Sequence, residues 1–411
     1  MFRGKISIIA SLLSAVVIFS VLPAESATIA GTKCAKLGSI KIVSNIKYTC
    51  VTSGIKVIWN KGSRVATKPI SAPSPTSTKS AVPVPTESQK PTPTPTTPVF
   101  VPPTAPTNWS DLIKNSDGIA YWAWKKGSEK IAGSTSKLGT INILISPNAV
   151  PDNPKPLEAL NFVSRLVGNF EEPKRVELVY ADEKDIDWGQ TQIDQFCGQN
   201  ECGYDVKGEA KKACNVPVTP CWGGLALRNK KTNVPMIYVT ASEWGKKDDN
   251  HKQGTLEAHE YFHNVQQTLL ADAGINRVPR WLIEGGATWV QSAAVFNTDF
   301  DKYLKERNRN SNDTLFKFKP DLAWLLKFLD PNYQSGWENW EDDKYEHWNV
   351  YDIGSLASEI LVSMYGTATY LNLFKSVGAG KPFPQSFEEL YGISWSQAAE
   401  LIAKAIVAQQ R

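Results

Sequence analysis

Histidine is scarce in this chain: 411 residues contain only 4. A pair of histidines at ligand spacing therefore carries weight. Long apolar runs are nearly absent too, and after residue 22 no stretch is apolar enough to cross a bilayer, which excludes a multi-span membrane protein. No cysteine directly follows that first run, which excludes a lipid-anchored form. Residues 27–70 contain no acidic side chain, and no internal repeat argues for a solenoid.

What is present begins with Arg3 and Lys5, an apolar stretch over residues 6–22, and the small-residue segment Ala24-Glu25-Ser26-Ala27. That order of charge, apolar run and small residues predicts a signal peptide over 1–26; a retained anchor is the competing reading. Six cysteines, an even number, agree with an oxidising compartment. Cys34 and Cys50 stand together as a staple, while Cys197, Cys202, Cys214 and Cys221 form a second group. In an exported chain that group predicts disulfides over a zinc knuckle, with three pairings open.

Without residues 1–26 the net charge is +3, to which residues 27–70 contribute +8 and the remainder −5. Residues 27–64 alternate short β-favouring runs (40–43, 47–51, 55–59) with turns, and read as a small basic β module held by Cys34 and Cys50. It resembles a short Lys-rich two-cysteine module near the N-terminus of exported actinobacterial proteins. The module is either a stapled spacer or a device for attachment to anionic cell-wall or surface polymers through residues 27–70. Residues 65–107 are rich in Pro, Ser and Thr, which predicts a disordered linker. The main body of the chain follows over 108–411.

Within the body, strands are expected at 138–145, 175–180 and 236–240, with a helix at 157–167. After residue 255 the pattern turns mainly helical, ending in a helix near 394–410. The fold class is α+β in two lobes.

The chemistry concentrates in Thr255-Leu-Glu-Ala-His259-Glu260-Tyr-Phe-His263. Ala258, Phe262, Val265 and Leu269 recur at helical spacing, Thr255 is placed to cap the start, and Gly274 follows the end. On that helix His259 and His263 lie one turn apart on the same face and can share one tetrahedral ion. Glu260, about 100° around the helix, can reach a water on the metal without being a ligand, the position of a general base. Zinc would lower the pKa of that water to about 7. Glu284, in Trp281-Leu-Ile-Glu284-Gly-Gly-Ala-Thr-Trp289, could complete the site as a third ligand; an exposed helix-start carboxylate and a salt-bridge partner are its bland alternatives.

With these two segments the chain resembles the gluzincins, the metallopeptidases that include the thermolysin and aminopeptidase types. Trp-Leu-x-Glu-Gly-x-Ala is similar to the third-ligand segment of the aminopeptidase and collagenase branches. The resemblance covers roughly residues 236–400. It implies a zincin-like domain, a small mixed sheet with the active-site helix followed by a mainly helical lobe, and Zn2+ on His259, His263 and Glu284. Tyr351, in Tyr351-Asp-Ile-Gly354, matches the tyrosine that stabilises the oxyanion in the aminopeptidase branch; His347 is the rival donor.

The chain departs from the aminopeptidases in lacking the Gly-x-Met-Glu-Asn amine anchor, and no third histidine follows His263 at the spacing of other zincins. An endopeptidase is therefore expected, with residues 236–240 as the sheet edge along which a peptide lies. The Trp-rich stretch 337–348 is read as packing ahead of a cleft lining. The expectation is a secreted or wall-associated zinc peptidase acting on a protein or peptide substrate, with no nucleic-acid partner and no stable membrane span once the signal is removed. Two alternatives stay open: a zincin-fold surface-binding protein without turnover, and a wall-targeted amide hydrolase.

Overall fold

The computed structural model describes residues 32–34, 39–43, 46–53, 56–60, 63–64, 100–168, 173, 175–214, 223–241, 251–331 and 349–411. The expected signal segment, nearly all of the linker, Cys221, His347 and the stretch 337–348 lie outside them.

One mixed sheet organises the chain. Its centre is three parallel strands, β5 (Thr140–Ile145), β6 (Arg175–Ala181) and β8 (Val234–Thr240). Parallel neighbours need a long crossover, and helix α2 (Pro156–Val167) carries the chain from β5 to β6. Helices α3 (Ile186–Cys197) and α4 (Glu209–Cys214) lie between β6 and β7 (Gly224–Asn229), which then pairs antiparallel with β8. Beyond β5, strands β1 (Ile40–Val43), β2 (Ile46–Ser53), β3 (Lys56–Trp59) and β4 (Ser63–Arg64) extend the sheet by antiparallel pairing of β1 with β5. The strand order is β3-β2-β1-β5-β6-β8-β7, with β4 on β2.

Strand β6 is buried over all but its first residue, as expected where helices cover both faces of a parallel sheet. Its alternation feeds two cores. Leu178 and Tyr180, with Ile237 and Val239 of β8, face the larger core. Val179 and Ala181, with Met236 and Tyr238, face the smaller one.

The larger core is shared with a helical layer: α1 (Ile119–Ala132), α5 (Thr255–Leu270), α6 (Arg280–Val295), α9 (Asn349–Gly378) and α11 (Trp395–Gln409). The remaining helices are α7 (Phe300–Asn310), α8 (Leu322–Leu329) and α10 (Phe383–Tyr391). Helix α9 is broken at Gly366, whose φ of 79° is left-handed. The mixed α+β class is as expected.

Two details correct the sequence reading. Thr255 does not cap α5: Gly254, with φ 92°, occupies the N-cap and Thr255 is the first, buried helical residue. Residues 236–240 are not a sheet edge, because β8 has β6 on one side and β7 on the other. A period-two pattern marks a strand but not its rank in the sheet. The edge is β7, whose small and mixed residues (Gly-Leu-Ala-Leu-Arg-Asn) gave no alternation to find.

The disulfides Cys34–Cys50 and Cys197–Cys202 are formed, and Cys214 is disulfide-bonded as well. The zinc-knuckle reading of the second cysteine group is thereby excluded. Such bonds persist in oxidising compartments. No helix among the described residues is long and apolar enough to cross a membrane.

Candidate metal centre

Helix α5 lies buried between the sheet and α6, and both histidines point from it toward the first turns of α6. Glu284 answers from α6. Its Oε2 stands 3.2 Å from His263 Nε2 and 3.7 Å from His259 Nε2. The three ligand atoms all lie within 4.8 Å of one another. A tetrahedral ion with bonds of about 2.1 Å spaces its ligand atoms about 3.4 Å apart, so the cluster fits one. Among the described residues it is the one cluster of metal-ligating side chains that does.

Both imidazoles are aimed from behind. His259 Nδ1 is 2.8 Å from Gln291 Oε1, and His263 Nδ1 is 2.8 Å from Gln266 Oε1. A proton on Nδ1 leaves Nε2 with the lone pair a metal needs. The charges tell the same story. Burial alone would lower the His263 pKa, but the adjacent Glu284 raises it to about 9. Against the opposing effect of its own burial, the histidines hold the Glu284 carboxyl well below the usual carboxylate range. A proton on His263 thus supplies the positive charge a metal would bring.

Glu260 points elsewhere, as the helix geometry requires. It is buried, which raises its pKa against the pull of both histidines, and it is not in the ligand cluster. Its side chain lies against β7: a Cβ added at Gly224 would come within 2.5 Å of Glu260 Cγ. Glycine at 224 is what lets the strand pass this close.

Tyr351 enters from α9. Its ring centroid is 5.9 Å from that of His259, and it lines the same cleft as Glu284. Burial, then the Glu284 charge, push the phenol well above its ordinary pKa against the pull of Arg280. Two glycines make the approach possible. Gly285 of α6 and Gly354 of α9 meet backbone to backbone, and a Cβ on either would collide with the opposite helix. The glycine following each motif residue, in Glu284-Gly and in Tyr351-Asp-Ile-Gly, is therefore a packing requirement.

All five expected residues, His259, Glu260, His263, Glu284 and Tyr351, line one cleft of about 1230 Å³. One wall is β7, from Gly224 to Ala226, with Tyr204 and Glu209 nearby; the other includes Asn310, Asp313 and Asp352. Thr240 N donates to Gly223 O at 3.0 Å, which fixes the antiparallel alternation. Gly224 and Ala226 therefore turn their N–H and C=O groups outward. Gln267 Nε2 reaches the Ala226 carbonyl at 3.3 Å, so Gly224 and the Ala226 N–H are the groups facing the cleft.

The sequence reading missed Gln266, Gln291 and Gly224. The two glutamines had a signal: one lies three residues after His263, the other seven after Glu284, on the same helical faces. Gly224 had none, because its importance depends on a strand far from it in sequence. No protein-family profile, curated protein or solved structure matches the chain. The functional reading rests on this geometry and on the motifs.

Proposed function

We propose that the protein is an exported zinc-dependent peptidase of the gluzincin type, cutting within peptide chains. The observation that carries the reading is the convergence of His259, His263 and Glu284 on one point, with Glu260 set apart from them against an open strand edge. Two imidazole nitrogens and one carboxylate at tetrahedral spacing are a zinc donor set that leaves a fourth position free. Zinc, when bound, acts as a Lewis acid and acidifies water.

The chain's own residues do the rest. Glu260 takes a proton from the attacking water as its oxygen adds to the carbonyl carbon, and returns that proton to the departing nitrogen as the C–N bond breaks. Its raised pKa suits a group that must both accept and give. Tyr351 donates a hydrogen bond to the carbonyl oxygen as negative charge develops there. Gly224 and the Ala226 N–H pair with the substrate backbone and lay it antiparallel to β7. A cleft of this size, without the aminopeptidase amine anchor, suits an extended chain. The disulfides and the N-terminal charge and apolar pattern support export.

The test is metal content by mass spectrometry together with hydrolysis of casein and a peptide library, comparing the wild-type protein with Glu260→Gln. One zinc per chain is expected in both, with hydrolysis lowered roughly 10²–10⁴-fold in the variant. Absence of zinc from the wild type, or full hydrolysis by Glu260→Gln, would refute the reading.

A further inference from the structure

Gln266 is fully buried on α5 and makes contacts at both ends of its amide. Its Oε1 is 2.8 Å from His263 Nδ1, and its Nε2 is 2.8 Å from the carbonyl oxygen of Ile283 and 3.5 Å from that of Leu282. The chemistry of the partners fixes which end is which. Backbone carbonyls only accept, so the amide nitrogen must face Ile283 and the amide oxygen must face the imidazole. An amide oxygen only accepts as well. Nδ1 of His263 therefore carries a hydrogen, whatever the state of Nε2.

Ile283 is the residue before Glu284. The same side chain that sets the tautomer of one ligand thus holds the backbone that carries another. His259 has a simpler backing: Gln291, itself on α6, meets it through one contact, Oε1 to Nδ1, where Gln266 holds both an imidazole and the backbone beside Glu284. The supports are also neutral: both ligand histidines lean on amides where a carboxylate would make the imidazole more basic.

We propose that Gln266 is a positioning residue that ties the His263 imidazole to the backbone carrying Glu284 and makes the metal centre a preformed feature of the fold. The inference rests on the metal-binding part of the reading above. It predicts that the affinity for zinc, and not only turnover, depends on Gln266, and more steeply than on Gln291.

The experiment measures the zinc dissociation constant of the full chain by competition with a chelator of known affinity. Thermal melts of the metal-free proteins identify variants that fold as wild type. Gln266→Met keeps the volume and removes both hydrogen bonds, and is expected to weaken zinc binding about 10–100-fold. Gln291→Met should fall short of that loss. Gln266→Leu removes both hydrogen bonds with a smaller apolar side chain and should weaken zinc binding to a similar degree. Zinc bound by folded Gln266→Met as tightly as by wild type overturns the inference. If Gln266→Met does not fold, wild-type affinity in folded Gln266→Leu overturns the bridge. A wild-type protein without zinc affinity would instead sink the metal centre itself.

Discussion

The two edges of the central sheet are treated in opposite ways. At the β5 edge, Ile40, Lys41 and Ile42 of β1 pair with Ile143, Asn142 and Ile141, and three more strands follow outward. At the other edge β7 has no partner strand among the described residues, and its outward groups face the cleft beside Glu260. An open edge recruits any extended chain, which is a hazard in one place and a means of binding in another. Under the proposed function, the comparison separates the edge that would bind substrate from the one that is covered. The edge remote from the ligand cluster is covered by a disulfide-held segment, and the edge beside it bears a glycine and has no partner strand among the described residues.

The largest effect is expected at the covered edge. Removing the Cys34–Cys50 bond by a double change to Ser should cost about 3 kcal/mol for a loop of this length. The loss falls on the segment that closes β5, so concentration-dependent association should rise in light scattering while hydrolysis per folded molecule stays unchanged. Hydrolysis falling in parallel with the disulfide would break the division of labour between the edges.

The open edge should respond the other way. Gly224→Ala brings a Cβ into the Glu260 side chain and displaces the base, so kcat should drop about 100-fold with the melting temperature nearly unchanged. Steady-state kinetics beside a thermal melt checks both halves. A stable variant of full activity would mean that Glu260 does not work from the position against β7.

How much of this could be read beforehand follows from the range of each cue. The cluster that could hold a metal was legible, because His259 and His263 sit one helical turn apart and Glu284 lies in a segment with its own pattern. Helical periodicity also exposed the buried stripe of α5, of which Ala258, Phe262 and Val265 are fully or almost fully buried. The strands β5, β6 and β8 were found from their apolar runs. Their order was not, since pairing is set by partners remote in sequence. The edge strand was missed for that reason, as was the addition of residues 40–64 to the body's sheet, because a short run such as Ile40–Val43 looks the same paired or solitary. The Gly254 cap was missed because a threonine stood next to it with the usual capping chemistry.

The cleft side also carries a stability cost. Asp352, next to Tyr351, is buried; its Oδ2 accepts from Thr314 N at 3.0 Å and its Oδ1 has no hydrogen-bond partner among the described residues. Burial raises its carboxyl from an ordinary 3.8 to about 7. A raised folded-state pKa gives stability that is full below the ordinary value and lost as pH rises through the shifted one. Unfolding free energy from this group should therefore fall by roughly 1–3 kcal/mol between pH 4 and pH 8. Asp352→Asn keeps an acceptor for Thr314 and should flatten that part of the profile in denaturant melts. An equal fall in the variant would assign the pH dependence to another group.

The smallest effect isolates the edge itself. Ala226 turns its N–H toward the cleft, so Ala226→Pro removes one donor from the proposed substrate ladder and none from the pairing with β8. Proline is tolerated on an edge strand where the lost N–H faces outward. One hydrogen bond of about 1 kcal/mol should then appear as a KM raised roughly fivefold at unchanged kcat. Leu225→Pro is the control, since the Leu225 N–H faces Tyr238 within the sheet and its loss should lower stability first. If the two prolines behave alike in both stability and KM, peptide does not lie along β7. If they separate as described, substrate binding and sheet pairing use alternate residues of the same strand, which is the geometry an open edge provides and a covered one does not.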